Sequence, residues 1–247
     1  MNLFEVALQQ SAIDMNCKPE DFLKTENVIV PAGAHPDARK YLDLPLDCDI
    51  VSYGSNVVAA VRPELIEPIT EYLKEGPPYR CFETPEIYRL NAILQPFGLQ
   101  VTHMAEYFLP AEDEPLPRPF KTKILVQKDF ESLYLPEWSN ALCAKRKELD
   151  VLGIGAYDGE TLVGLAACSA DCENMWQIGI DVLPAYRRQG IASSLVSQLK
   201  SVILHRRKVP FYCAAWSNIP SVRCAIDAGF RPAWVQITAK PIKKAAQ

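Results

Sequence analysis

The chain has 247 residues, 49% hydrophobic and 23% charged, with a net charge of -4 at pH 7. That length can bury a sizeable core in one or two domains. Mild acidity gives no overall basic field for nucleic acid or an anionic membrane, and no apolar run approaches the ~18 residues that span a bilayer, so neither partner is expected.

The N-terminal stretch carries acids and no basic region ahead of a small-residue cleavage site, which makes a cytoplasmic address the expectation. Eight cysteines are scattered through patterned segments and read as reduced thiols. His35, His103 and His205 lie far in sequence from the close pair Cys168 and Cys172, so no metal site is expected.

In chain order, "DIVSYGSNVVAAV" has a hairpin pattern, and "PEIYRLNAILQPFGLQVTHMAEYF" reads as a helix, a glycine stop and a strand. These place an α/β domain over residues 1–110. "LPAEDEPLPRPF" has four prolines and three acids and nothing periodic to bury, which marks 111–119 as a proline-rich linker. Residues 120–247 then form a second domain.

There, "TKILVQ" predicts a strand, and "FESLYLPEWSNALCAKRKEL" one or two helices interrupted at Pro136. "LGIGAYDGETLVGLAACSA" is a hairpin turning at Asp158 and Gly159, and "MWQIGIDVL" is a strand apolar on both faces. From Gln189 to about Leu204, Ile191, Leu195, Leu199 and Val202 recur at helical spacing. "VPFYCAAW" is a strand; Ser217 or Asn218 then caps a helix with Pro220 in its first turn and Gly229 as its left-handed stop, before the strand "PAWVQIT". This order implies a mixed sheet covered by helices. The first domain echoes the second in part, as a degenerate duplication would, but has no counterpart of the turn at Arg187.

That turn, "VLPAYRRQGIA", joins a strand to a helix, where unpaired backbone N–H groups converge and favour an anion. Gly190 allows close approach and Ala192 keeps the exit small, while Arg187 and Arg188 add donors suited to phosphate oxygens. Together they describe a pyrophosphate cradle. Neither GxGxxG after a strand nor GxxxxGK[ST] is present.

"RRQGIA" fits Arg/Gln-x-x-Gly-x-Gly/Ala, and with "WSNIPSVRCAIDAGF" it resembles the GNAT superfamily of acyl-CoA N-acyltransferases over about Lys121 to Thr238. "VPFYCAAWSN" is similar, more loosely, to the glycine N-acyltransferase branch. The resemblance implies a mixed, mostly antiparallel sheet flanked by helices, and the internal echo makes a degenerate half of the same kind one reading of the first domain. It implies acetyl-CoA as cofactor, its pantetheine arm lying between "MWQIGIDVL" and "VPFYCAAW". Carried over, Val182 would pair with the arm and offer an oxyanion N–H. Arg187, Arg188, Gln189, Gly190, Ile191, Ala192 and Ser193 would cradle phosphate, and Asn218 would touch the cofactor or cap its helix.

The implied reaction is acetyl transfer to a primary amine of a small molecule by direct attack on the thioester. A non-catalytic CoA-binding module or transfer of a longer acyl group are the alternatives. A monomer or homodimer is expected. The family's usual acid, a tyrosine seven residues after the asparagine, is Ala225 here. Ser221, Cys224 and Tyr212 are the candidate substitutes, or the thiolate departs unassisted. Glu173 or Asp181 could be the base, with a chain of waters as the leading reading. Trp176 stands where some relatives carry a glutamate. Glu137, Trp138 and Asn140 are candidates to grip the acceptor, with Trp176 and Trp216 as apolar walls.

Overall fold

The computed structural model describes residues 2–74, 76–111, 116–117 and 119–242. Of the expected linker, residues 112–115 and 118 lie outside the described residues. The chain divides into two compact units, one built from Phe108–Pro232 and the other from Phe4–Tyr107 with the residues from Ala233 on. The described residues from Ala233 to Ile242 thus group with the N-terminal unit, whereas the sequence places the second domain over 120–247.

The N-terminal unit contains α1 (Leu3–Asp14), β1 (Val28–Pro31), β2 (Cys48–Ser52), β3 (Val58–Val61), α2 (Ile66–Tyr72), α3 (Glu86–Leu94) and β4 (Leu99–Pro110). Its strand order is β1-β3-β2-β10-β4, where β10 is Phe230–Pro241. The hairpin expected at "DIVSYGSNVVAAV" is β2 with β3, registered from Cys48↔Val61 to Val51↔Val58. Both strands are buried throughout and rich in β-branched residues, which favours a pleated, two-sided packing. Ile50 of β2 packs with Leu65, Ile69, Leu90 and Leu94. Gly98, at φ 71°, ends the helical stretch before β4 as a left-handed residue. β3 also leads through a short 3-10 turn, Pro63–Leu65, into a helix, but that connection holds neither a glycine nor paired arginines.

The C-terminal unit contains β5 (Lys121–Val126), β6 (Asp150–Asp158), β7 (Thr161–Ser169), β8 (Met175–Val182), α4 (Ile191–His205), β9 (Val209–Ala214) and α5 (Ile219–Asp227). The strand order is β9-β8-β7-β6-β5, antiparallel except for the parallel β8–β9 pair. This is the mixed, mostly antiparallel sheet flanked by helices that the sequence predicts. The β6–β7 hairpin turns at Gly159, φ 61°, with Asp158 opposite Thr161. From α4, Ile191, Leu195, Leu199 and Ile203 enter one core with Ile154, Val163, Ala166 and Ile178 of the sheet, so the apolar stripe faces the strands as its spacing demands.

The helices expected between β5 and β6 do not form. The segment makes three 3-10 turns instead, Gln127–Leu133, Pro136–Trp138 and Lys147–Leu149. Pro136 lacks a backbone donor, and the amides of Asn140, Ala141 and Cys143 donate to the carboxylates of Asp181 and Asp150. Helix propensity loses here to side-chain acceptors supplied by the sheet.

Candidate active site

β8 pairs with β9 only at Met175↔Val209, Trp176↔Pro210 and Gln177↔Phe211. On its other edge it stays registered with β7 as far as Val182, opposite Gly164. The strands therefore part after Gln177 and Phe211, leaving a stretch of β8 with backbone groups directed at an opening instead of a neighbouring strand. Gln177 Nε2 donates to Cys213 Sγ at 3.0 Å, bridging the two strands at the point where they separate.

At its C-terminal end β8 enters a 3-10 turn, Pro184–Tyr186, which is tied down by the Tyr186 hydroxyl on Asp158 Oδ2 at 2.9 Å and by the Tyr186 ring against Phe120. Arg188 then takes φ 61° and Gly190 φ 75°, so two left-handed residues reverse the chain into α4. No heavy atom lies within 4 Å of where a Cβ on Gly190 would project. No side chain caps this helix, and the first-turn amides of Ile191, Ala192 and Ser193 have no intrahelical acceptor. Gln189 is exposed and returns its amide to the Ala185 carbonyl, and Ser193 Oγ bonds the Gly190 carbonyl at 3.3 Å. Arg188 is exposed. Arg187 folds back so that its Nε donates to the Val182 carbonyl at 3.1 Å, which occupies the backbone group expected to face a pantetheine arm. The cradle residues fit a diphosphate: open amides, room above a glycine, the positive helix end and the exposed Arg188 guanidinium, with Arg187 turned back to the strand.

On the opposite side of the opening, Tyr212 of β9 and Ser221 of α5 meet, hydroxyl to hydroxyl, at 2.8 Å. Burial pushes the Tyr212 phenol well above the ordinary tyrosine range, against the stabilising contact from Ser221. Cys224 lies beside this pair, its thiol pushed up to about 12 by burial. Ala225 is 0% exposed within the core that α4 shares with the sheet, so its position is packing and not a place from which an acid could reach solvent. Asn218 caps α5, accepting from the Ser221 amide at 3.4 Å.

Asp181, a candidate base, accepts three bonds: from the Asn140 amide at 2.8 Å, Asn140 Nδ2 at 2.7 Å and the Ala141 amide at 2.9 Å. Glu173 sits on an exposed bend before β8, nine residues from Val182. At about 3.3 Å per extended residue, that places it at the far end of the strand, roughly 25–30 Å from the cradle. The structure does not bring it to the turn.

Of the acceptor-side candidates, Glu137 is exposed, and Trp138 is 4% exposed and packs with Phe130, Leu142 and Leu165 as core. Asn140 is committed to Asp181. Trp176 is half-buried against the α4 core, and Trp216 is 36% exposed just past β9. Gly179 escaped the sequence reading. A Cβ there would lie 1.9 Å from the Asn140 carbonyl oxygen, so the 138–142 segment rests directly on β8. The available signal was a glycine inside an otherwise apolar strand, which marks a close backbone approach. Among the described residues, no group of three His, Cys, Asp or Glu side chains could hold a metal ion.

Residues 118–230 match the profile of the Acetyltransferase (GNAT) family. No curated protein sequence matches the chain. Among solved structures, it is similar to a putative GNAT-family acetyltransferase of Novosphingobium aromaticivorans, at 20% identity over 60% of this chain and 69% of that one, with TM-score 0.43. A GCN5-related N-acetyltransferase-like protein of Streptococcus suis matches at 19% identity over 64% and 69%, with TM-score 0.45. A GCN5-related N-acetyltransferase of Sphaerobacter thermophilus matches at 16% identity over 77% and 74%, with TM-score 0.48.

Proposed function

We propose that this chain, whose residues 118–230 form an acetyltransferase (GNAT) family domain, transfers an acetyl group from acetyl-CoA to a primary amine of a small molecule by direct attack on the thioester. The observation that carries the reading is the continuity of one opening. Beyond Gln177 and Phe211 the strands part, and β8 then leads straight into the turn whose Gly190, Ile191, Ala192 and Ser193 present open amides beside Arg188.

Acetyl-CoA, when bound, supplies an activated thioester. The chain's own residues do the rest. Arg188 and the first-turn amides of α4 would hold the diphosphate, and backbone N–H groups on the parted stretch of β8 would face the carbonyl oxygen as donors. The Ser221 hydroxyl, held by Tyr212, would donate a proton to the leaving sulfur when acetyl-CoA is bound and would be reprotonated from water. Deprotonation of the amine passes through water, since Asp181 is engaged by three donors and Glu173 stands at the other end of the strand.

The buried Ala225 favours one rival, a CoA-binding module without turnover. Calorimetric titration with CoA, followed by thiol release from acetyl-, butyryl- and octanoyl-CoA with ethanolamine, putrescine, tyramine and glucosamine, separates the readings. Binding with amine-dependent release from acetyl-CoA supports the proposal. Binding with no release from any pair supports the rival, and preference for the longer donors reassigns the acyl group. We place the protein in the cytoplasm: all eight cysteines are free thiols, as a reducing compartment maintains, and no helix among the described residues is long and apolar enough to cross a membrane.

A further inference from the structure

Asp181 and Gly179 lie on the same face of β8, opposite Leu165 and Ala167 of β7. That face is covered by the 138–142 segment, whose Trp138, Ala141 and Leu142 are buried against Leu165 and Ala167. Three features press the segment onto the sheet. Its apolar side chains anchor it over β7, its Asn140 carbonyl sits where only a glycine leaves room on β8, and both oxygens of Asp181 accept from it. On the other side of β8 there is no strand beyond Gln177, because β9 has parted. The segment is therefore the last covered layer before the opening.

We infer that Asp181 is a positioning residue: it holds the 138–142 segment as the wall of the acyl-transfer opening and does not take the acceptor's proton. This rests on the proposed function for the meaning of the opening, though not for the clamp itself. The carboxylate meets two backbone amides and a side-chain amide here. Three of its roughly four acceptor sites are filled, both of those on Oδ2 and one on Oδ1, so most of the carboxylate is committed to the segment. The Asp181 Oδ2 atom accepts both backbone amides, so an asparagine can keep them through its single oxygen. Its NH2 group then faces Asn140, whose amide can turn its own oxygen inward.

Two substitutions separate geometry from charge. Asp181→Asn keeps the clamp and loses the carboxylate; Asp181→Glu keeps a carboxylate and moves it by one methylene. The readouts are hydrogen exchange of the Asn140 and Ala141 amides, calorimetric CoA binding, and the pH profile and KM of thiol release from acetyl-CoA with the amine panel. A positioning role predicts that Asp181→Asn leaves exchange, pH profile and acceptor KM within about twofold of wild type, whereas Asp181→Glu speeds exchange and raises KM on the order of tenfold with kcat less affected. CoA affinity should stay unchanged in both. Loss of turnover in Asp181→Asn with exchange unaltered would make Asp181 the base and overturn the inference, as would slow exchange in Asp181→Glu. If wild type fails to bind CoA, the proposed function falls alone and the exchange comparison still decides the clamp.

Discussion

The hydroxyls of Tyr212 and Ser221 lie 2.8 Å apart, one on the strand that parts from β8 and the other in the first turn of the helix that follows it. Burial raises the phenol above its ordinary range, so Tyr212 keeps its proton and serves to hold the Ser221 hydroxyl by hydrogen bonding. Ser221→Ala should lower kcat by about 10-fold to 100-fold and leave CoA affinity unchanged. Tyr212→Phe should lower kcat by a smaller factor, since it removes only the second hydroxyl. Equal kcat in wild type and Ser221→Ala would show that the thiolate leaves unassisted.

The turn before α4 should trade stability against binding. Arg188 occupies φ 61°, a region that costs a side-chain-bearing residue about 1 kcal/mol and costs glycine little. Arg188→Gly is therefore expected to hold or raise Tm while weakening CoA about tenfold through the lost guanidinium. At Gly190, φ 75° makes valine strained even though the space above is open, so Gly190→Val should lower Tm as well as abolish CoA binding. Calorimetry and thermal melts on the two variants read both effects; wild-type CoA affinity in both would remove the cradle assignment.

Gly179→Ala should disturb the segment that Asp181 clamps. An added Cβ would stand 1.9 Å from the Asn140 carbonyl oxygen and 3.1 Å from the Ala141 Cα, so backbone must move. Overpacking of this kind costs about 1–3 kcal/mol or more. Hydrogen exchange should show faster opening of 138–142, with the β6–β7 hairpin unaffected. An unchanged Tm and exchange pattern would mean that the segment is looser than the packing implies.

Stability should fall across mild acid to neutral pH because of Asp49. This carboxylate is 4% exposed; burial raises it to about 6, against the lowering effect of its bonds from Thr238 and Gln236. A carboxyl whose pKa is raised by folding favours the folded state while protonated. Its contribution is full below the unfolded value of 3.8 and is lost as pH rises through about 6. The loss is on the order of 3 kcal/mol at most. Asp150, also raised to about 6 by burial, acts in the same direction, so the comparison of wild type with Asp49→Asn isolates one site. Unfolding between pH 4 and 8 should show a steeper decline in wild type; parallel curves would contradict the assignment.

The β6–β7 hairpin, the apolar stripe of α4, the Asn218 cap and the Gly229 stop were all legible because each depends on residues close in sequence: a turn at Gly159, a 3.6-residue period, a capping side chain and a left-handed glycine. The segment from Phe130 to Leu149 was not. Its local preference is helical, yet Asp181, which claims the Asn140 and Ala141 amides, lies about 40 residues on in a strand that only the folded sheet brings near, while Asp150 just past the segment takes the Cys143 amide.

The same division holds for the site. "RRQGIA" by itself determined an anion cradle at a strand-to-helix turn, because a helix start, a glycine and two arginines form one local unit. Only tertiary structure decided the other side. It buried Ala225 in the core, joined Tyr212 to Ser221 across a strand and a helix, and turned Asp181 from a possible base into a bonded anchor. Hydrogen-bond partners distant in the chain fix such roles, and residue spacing carries no record of them.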